Sequence, residues 1–93
     1  MFQIHLASRA EREFRELPDD LKQKFYEEFR KLSTNPFRHP KVKKIGGTEF
    51  GYRLRFRRWR ILFALFSKER RIEIVDIFLK KSEKDYLKRK KLF

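Results

Sequence analysis

Between Phe50 and Arg57 the chain changes character at every residue: Phe50, Tyr52, Leu54 and Phe56 alternate with Gly51, Arg53, Arg55 and Arg57. A period of two marks a half-buried strand, because successive side chains leave opposite faces of a sheet. This stretch predicts a sheet with one apolar face that must be covered and one face lined with arginine. The next segment, Trp59 to Phe66, is apolar on both alternations except at Arg60 and reads as a central strand. After the polar turn Ser67-Lys68-Glu69-Arg70, Ile72, Ile74 and the run Val75 to Leu79 predict a last strand.

The cover for the apolar face lies upstream. Phe2, Ile4 and Leu6 alternate with Gln3 and His5, which predicts a first strand. Ser8 and Glu11 have capping-box spacing, and Ala10, Phe14 and Leu17 recur at helical intervals, so a helix is expected from about Ser8 until Pro18 interrupts it. Pro18-Asp19-Asp20 places acids at the start of a second helix, whose apolar face is Leu21, Phe25, Phe29 and Leu32. From Ser33 to Glu49 no periodicity is visible and Asn35, Pro36, Pro40, Gly46 and Gly47 break the chain, so this segment reads as a long solvent-facing loop. Ser82 and Asp85 repeat the capping-box spacing ahead of Tyr86 and Leu87, and Lys88-Arg89-Lys90-Lys91 follows, predicting a short basic helix or tail.

The expected fold is α+β: an N-terminal strand, a two-helix hairpin, then a three-stranded antiparallel meander forming a four-stranded sheet, with a short C-terminal helix. At 93 residues the chain is a single domain spanning 1–93.

Charge narrows the function. Twenty-six Lys and Arg against 13 Asp and Glu give a net +13, which points to a polyanion or an acidic partner. Residues 50–93 carry most of the excess, 15 basic against 5 acidic, so the anion-binding face belongs to the sheet half. With 40% hydrophobic residues and 11 Phe, the chain is no disordered basic tail. The absence of cysteine removes disulfides, thiolate nucleophiles and Cys-ligated zinc, and suits a reducing compartment. No secretory signal or membrane-spanning run is visible, since the longest apolar stretch is the six residues Ile61 to Phe66; a cytoplasmic protein with no membrane partner is expected.

Arg53, Arg55, Arg57, Arg58 and Arg60 fall within eight residues. Arg53 and Arg55 share a face, and Arg60 approaches them if the chain folds back through Arg57-Arg58. Converging guanidiniums repel unless an anion fills the gap, and their planar forks suit phosphate. The competing reading is a solvated basic face with scattered ion pairs. Lys43 and Lys44 of the loop add charge, as do Lys80 and Lys81 after the last strand. Tyr86 is a candidate general base where cations gather, or else a buried aromatic that anchors the last helix. Trp59, Phe63, Phe66 and Phe78 read as core rather than as base-stacking platforms. His5 and His39 are too few for a His-based metal site and read as strand and loop residues, and no carboxylate pair is apparent that would hold the metals of a two-metal nuclease.

Ser8-Arg9-Ala10-Glu11, Leu17-Pro18, Tyr52-Arg53-Leu54-Arg55, Trp59-Arg60-Ile61 and the ending Asp76-Ile77-Phe78-Leu79-Lys80-Lys81-Ser82-Glu83-Lys84-Asp85-Tyr86 together resemble the RelE/ParE superfamily of toxins from type II toxin–antitoxin modules, on the RelE-like side. The resemblance implies a ribosome-dependent endoribonuclease that cuts mRNA by metal-free attack of a ribose 2′-OH on the adjacent phosphate, with no cofactor. It further implies that Arg60 and Lys80 stabilise the developing charge, that Tyr86 or a cationic neighbour accepts the 2′-OH proton, and that Arg53 and Arg55 hold phosphate. The implied partners are an acidic antitoxin protein, the ribosome and mRNA. Two alternatives stand beside it: a ParE-like inhibitor of DNA gyrase without catalysis, and a non-catalytic basic RNA-binding module. Arg57-Arg58 departs from the Gly with Asp or Asn common in the family's hairpin turn, so a strained turn or a longer loop is expected.

Overall fold

The computed structural model describes all residues, Met1–Phe93. Strand β1 (Gln3–Leu6) leads into helices α1 (Ser8–Arg15) and α2 (Asp19–Thr34), followed by strands β2 (Val42–Lys44), β3 (Gly51–Phe56), β4 (Trp59–Phe66) and β5 (Arg71–Leu79) and helix α3 (Lys84–Arg89), which runs into a 3₁₀ turn at Lys90–Leu92. The α+β order is the one the sequence predicts, but the sheet has five strands rather than four, in the order β1-β5-β4-β3-β2. The extra strand, β2, lies in the expected loop and pairs antiparallel with β3. Three residues are too few to display a period, and β2 exists because β3 offers it a free edge. Nor is the segment wholly solvent-facing, since Ile45 is buried. At the opposite edge β1 pairs parallel with β5, while β3, β4 and β5 form the antiparallel meander.

The helical hairpin covers one face. Phe14 and Ala10 of α1 and Phe25, Phe29 and Leu32 of α2 pack with Leu54, Ile61, Phe63, Leu65, Ile72, Ile74 and Ile77 into the main core. The capping box expected at the start of α1 does not form: Ser8 is already helical, the cap position is Ala7, and no side-chain capping hydrogen bond forms there. Pro18 occupies the cap position of α2, with Asp19 and Asp20 in its first turn, favourable against the helix dipole.

A bulge in β5 redirects the sheet. Phe63 pairs with Ile74 but Leu62 pairs with Asp76, which leaves Val75 as an extra residue. Beyond it the alternation reverses, so Ile77 joins the main core, Phe78 turns to the opposite face, and Asp76 sits at the sheet edge within reach of Arg9 of α1 and Arg89 of α3. There Phe78, Leu62, Ile45 and Tyr86 form a second, smaller core beneath α3. The hairpin from β3 to β4 is a two-residue turn with Phe56 paired to Trp59, and Arg57 takes a positive φ of 59°. Arginine is strained in that region, so the expected strain is present and the longer loop is not.

Candidate functional site

The face of the meander opposite α1 and α2, covered only in part by α3, gathers the cations. Arg55 of β3 stands opposite Arg60 of β4, and Arg53 stands opposite Lys43 of β2, so the sheet register sets the arginines in two adjacent rows. These residues, with Pro40, Lys41, Lys80 and Tyr86, line a cleft of about 230 Å³. Six of the eight lining side chains are therefore Lys or Arg.

Tyr86 reaches this cleft from the first turn of α3, and its ring is buried against Phe78. Arg60 Nε donates to the Tyr86 hydroxyl oxygen at 2.8 Å. The other arm of the same guanidinium is fixed by its backbone, with Nη1 donating to the carbonyls of Arg57 and Trp59 at 2.9 and 2.8 Å. The Arg53 guanidinium lies 4.5 Å from the Tyr86 ring centroid and Lys80 Nζ 5.4 Å from it. A preset arginine, a tyrosine hydroxyl and converging cations can hold a phosphate and move a proton beside it.

One carboxylate enters this field. Glu83 accepts a hydrogen bond from Lys80 Nζ and lies 3.8 Å from Arg53 Nη1. The bond from Lys80 holds its carboxyl below the usual range against the opposing effect of desolvation, and the charges of Lys80, Arg53 and Arg60 add to the lowering. Asp85 is held low too, chiefly by hydrogen bonds from the backbone N–H groups of Lys81 and Ser82. That is the reaching-back half of the capping box expected from Ser82 and Asp85, placed at the start of α3.

The sequence-predicted residues thus divide. Arg53, Arg55, Arg60, Lys43, Lys80 and Tyr86 come together in the cleft. Arg57 and Arg58 do not line it: the Arg57 guanidinium lies over the Phe56 ring, and Arg58 contributes a carbonyl that accepts from Lys80 N. Lys44 also lies outside the lining residues, because one step along β2 sends its side chain to the other face; its Nζ donates to the carbonyls of Thr48 and Glu49. Lys81 is held through its backbone rather than by its ammonium. Phe63 is core, as expected, and so is Phe78, in the smaller cluster.

Sequence reasoning missed three features. Lys41 joins the cleft because Arg55 N donates to its carbonyl and draws it beside β3. The His39 side chain is tucked in against Glu28 although it lies in a loop. Desolvation lowers its pKa, and Lys31 and Lys41 lower it further, against the opposing charge of Glu28. The third is a carboxyl pair: Glu13 of α1 hydrogen-bonds to Asp76 and is pushed up to about 7, first by burial and then by that bond. Arginines flank this pair, Arg9 Nε at 3.2 Å from Asp76 and Arg89 Nε bonded to it, and no group of three or more His, Cys, Asp or Glu forms anywhere in the chain.

Residues 4–83 match the sequence profile of the family described as ParE toxin of type II toxin–antitoxin system. No curated protein matches the sequence. Among solved structures, the isolated E. coli RelE toxin aligns over 100% of both chains with a TM-score of 0.75 at 14% identity. RelE in the intact E. coli RelBE toxin–antitoxin complex aligns over 88% of this chain and 100% of that one, with a TM-score of 0.75 and 13% identity. The archaeal RelE–RelB complex from Pyrococcus horikoshii OT3 gives 0.73 at 22% identity, covering 84% of this chain and 93% of that one. At these identities the likeness is one of fold. No helix of this chain is long and apolar enough to cross a membrane.

Proposed function

The chain belongs to the RelE/ParE superfamily of toxins from type II toxin–antitoxin systems, and from that premise we propose that it is a ribosome-dependent endoribonuclease that cuts mRNA. The observation that carries this reading is the bond from Arg60 to Tyr86 inside a cleft otherwise lined almost wholly by cations. In the reaction, the ribose 2′-oxygen attacks the neighbouring phosphorus, a 2′,3′-cyclic phosphate forms and the 5′-oxygen leaves. Tyr86, reacting as its phenolate with Arg60 Nε donating to the oxygen, takes the 2′-OH proton and becomes the neutral phenol. Lys80 returns a proton to the leaving oxygen, and Arg60 and Lys80 neutralise the charge that builds on the phosphorane. Arg53, Arg55 and Lys43 hold the flanking phosphates. An acidic antitoxin is the natural counterpart of a +13 chain, because covering this face removes its self-repulsion.

The test is incubation of the protein with ribosomes carrying a defined mRNA, with new 5′ ends mapped by primer extension beside the Arg60→Ala variant. Discrete cuts in the ribosomal A site that vanish in the variant support the reading. The family's ParE description favours a second one, a toxin that binds DNA gyrase without catalysis; gyrase inhibition with no mRNA cuts would replace the first reading with it.

A further inference from the structure

We propose that Asp76 is a positioning residue for the cleft: from β5 it anchors Arg89, and through Arg89 holds α3 so that the Tyr86 hydroxyl stays at Arg60. The proposal rests on Tyr86 being a reacting group.

A helix of six residues does not hold itself together in water. Its position comes from side chains, and two of them face the sheet together: Tyr86 and Arg89, three residues apart and so on one side of the helix. Tyr86 goes to Arg60. Arg89 goes to Asp76, through a hydrogen bond from its Nε. The same guanidinium lies 3.7 Å from the centroid of the Phe78 ring and donates from Nη1 to the Asp85 carbonyl at 3.1 Å, beside Tyr86 in the chain. One side chain thus links the sheet, the smaller core and the first turn of α3.

Asp76 itself is fully buried. A buried carboxylate is tolerated only when it is paired and hydrogen-bonded, and without the bulge at Val75 it would lie among the apolar residues of the main core. Arg9 of α1 and Arg89 of α3 approach it from two sides. Its Oδ1 receives no hydrogen bond from any N–H group. The Glu13 carboxyl lies beside it, pushed up to about 7 chiefly by burial, and its Oε1 accepts the Ile77 N–H at 2.9 Å, just past the point where pairing with β1 has ended. The acid is therefore built into a junction of α1, β5 and α3 whose far end is the Tyr86 hydroxyl.

The experiment compares the full chain with Asp76→Asn and Arg89→Met by hydrogen exchange and by cleavage of mRNA on ribosomes. Each variant is expected to lower the protection of the α3 amides about tenfold while β4 and β5 keep theirs. Cleavage should lose about tenfold in kcat with KM within about twofold, because the reacting group moves while the phosphate contacts stay. The double variant should be no worse than the worse single one, which a general loss of packing would not produce. Native α3 protection in a folded Asp76→Asn or Arg89→Met protein overturns the proposal. Should Asp76→Asn fail to fold, Arg89→Met decides alone, since Arg89 lies on α3 outside the sheet, its side chain is partly exposed and Arg9 still faces Asp76. Loosened α3 in the variants alongside a wild type that cuts no mRNA supports the anchor and removes only the ribonuclease reading.

Discussion

Arg60 and Tyr86, 26 residues apart, meet through a single hydrogen bond of 2.8 Å from the arginine Nε to the phenolic oxygen. Because the remaining donors of Arg60 are committed partly to the Arg57 and Trp59 carbonyls, the guanidinium stays put when its partner changes. Tyr86→Phe should therefore keep RNA binding nearly intact and reduce kcat by about 10²–10⁴-fold, the usual contribution of a positioned acid or base. Arg60→Ala should remove a charge-stabilising donor as well and lose activity by at least about 10²-fold. Single-turnover cleavage beside a binding titration checks both, and full activity in the two variants would place the chemistry elsewhere.

If the cleft holds RNA as proposed, the cation rows on β2, β3 and β4 make that affinity electrostatic. Binding of a short single strand should weaken steeply with salt, and Arg55→Gln should lower the slope of log K against log salt by about 0.7, the share of one phosphate contact on a single strand. Arg57→Gln, outside the cleft, should leave the slope nearly unchanged. Equal effects of the two substitutions would mean that the basic surface binds diffusely rather than through the cleft.

These assignments were legible in the sequence where side chains repeat. The alternation from Tyr52 to Phe56 predicts both the buried face and the arginine face, and the i, i+4 pattern of Leu21, Phe25 and Phe29 predicts the helix that covers the first of them. What the sequence hides depends on one-residue events. The bulge at Val75 sends Phe78 to the site face and Asp76 to the sheet edge although Ile72 and Ile74 point to the core, and strict alternation would have placed all four together. Strand β2 is hidden because its pairing is supplied by β3. The meeting of Glu13 and Asp76 joins residues far apart in the chain that no local pattern connects.

On the proposed reading, Glu83 is the carboxylate that occupies the cations an incoming phosphate would use, bonded to Lys80 and near Arg53. Its lowered pKa keeps it ionised at neutral pH. It therefore competes with phosphate for the same cations, and Glu83→Gln should raise the affinity for inorganic phosphate and short RNA severalfold. Calorimetric titration of phosphate reads this directly. Unchanged or weaker binding in Glu83→Gln would show that Glu83 orders Lys80 for the ligand instead of competing with it.

Glu13 sets a pH signature for the junction beneath α3. Its carboxyl titrates near 7 in the folded chain against an ordinary 4.5, so across that interval the folded state binds more protons than the unfolded one. Stability contributed by Glu13 is then fully present below about 4.5 and is lost as pH rises towards 7. His39 acts in the opposite sense: burial lowers its pKa, so its contribution falls as acid forces a charge onto it. The difference between two proteins separates them. Urea unfolding across this range should show wild type gaining stability relative to Glu13→Gln as pH falls, because the glutamine has no proton to bind and His39 is common to both. A pH-independent difference between the two would mean that Glu13 is not protonated against Asp76, and that Asp76 Oδ1 finds its donor in Arg9.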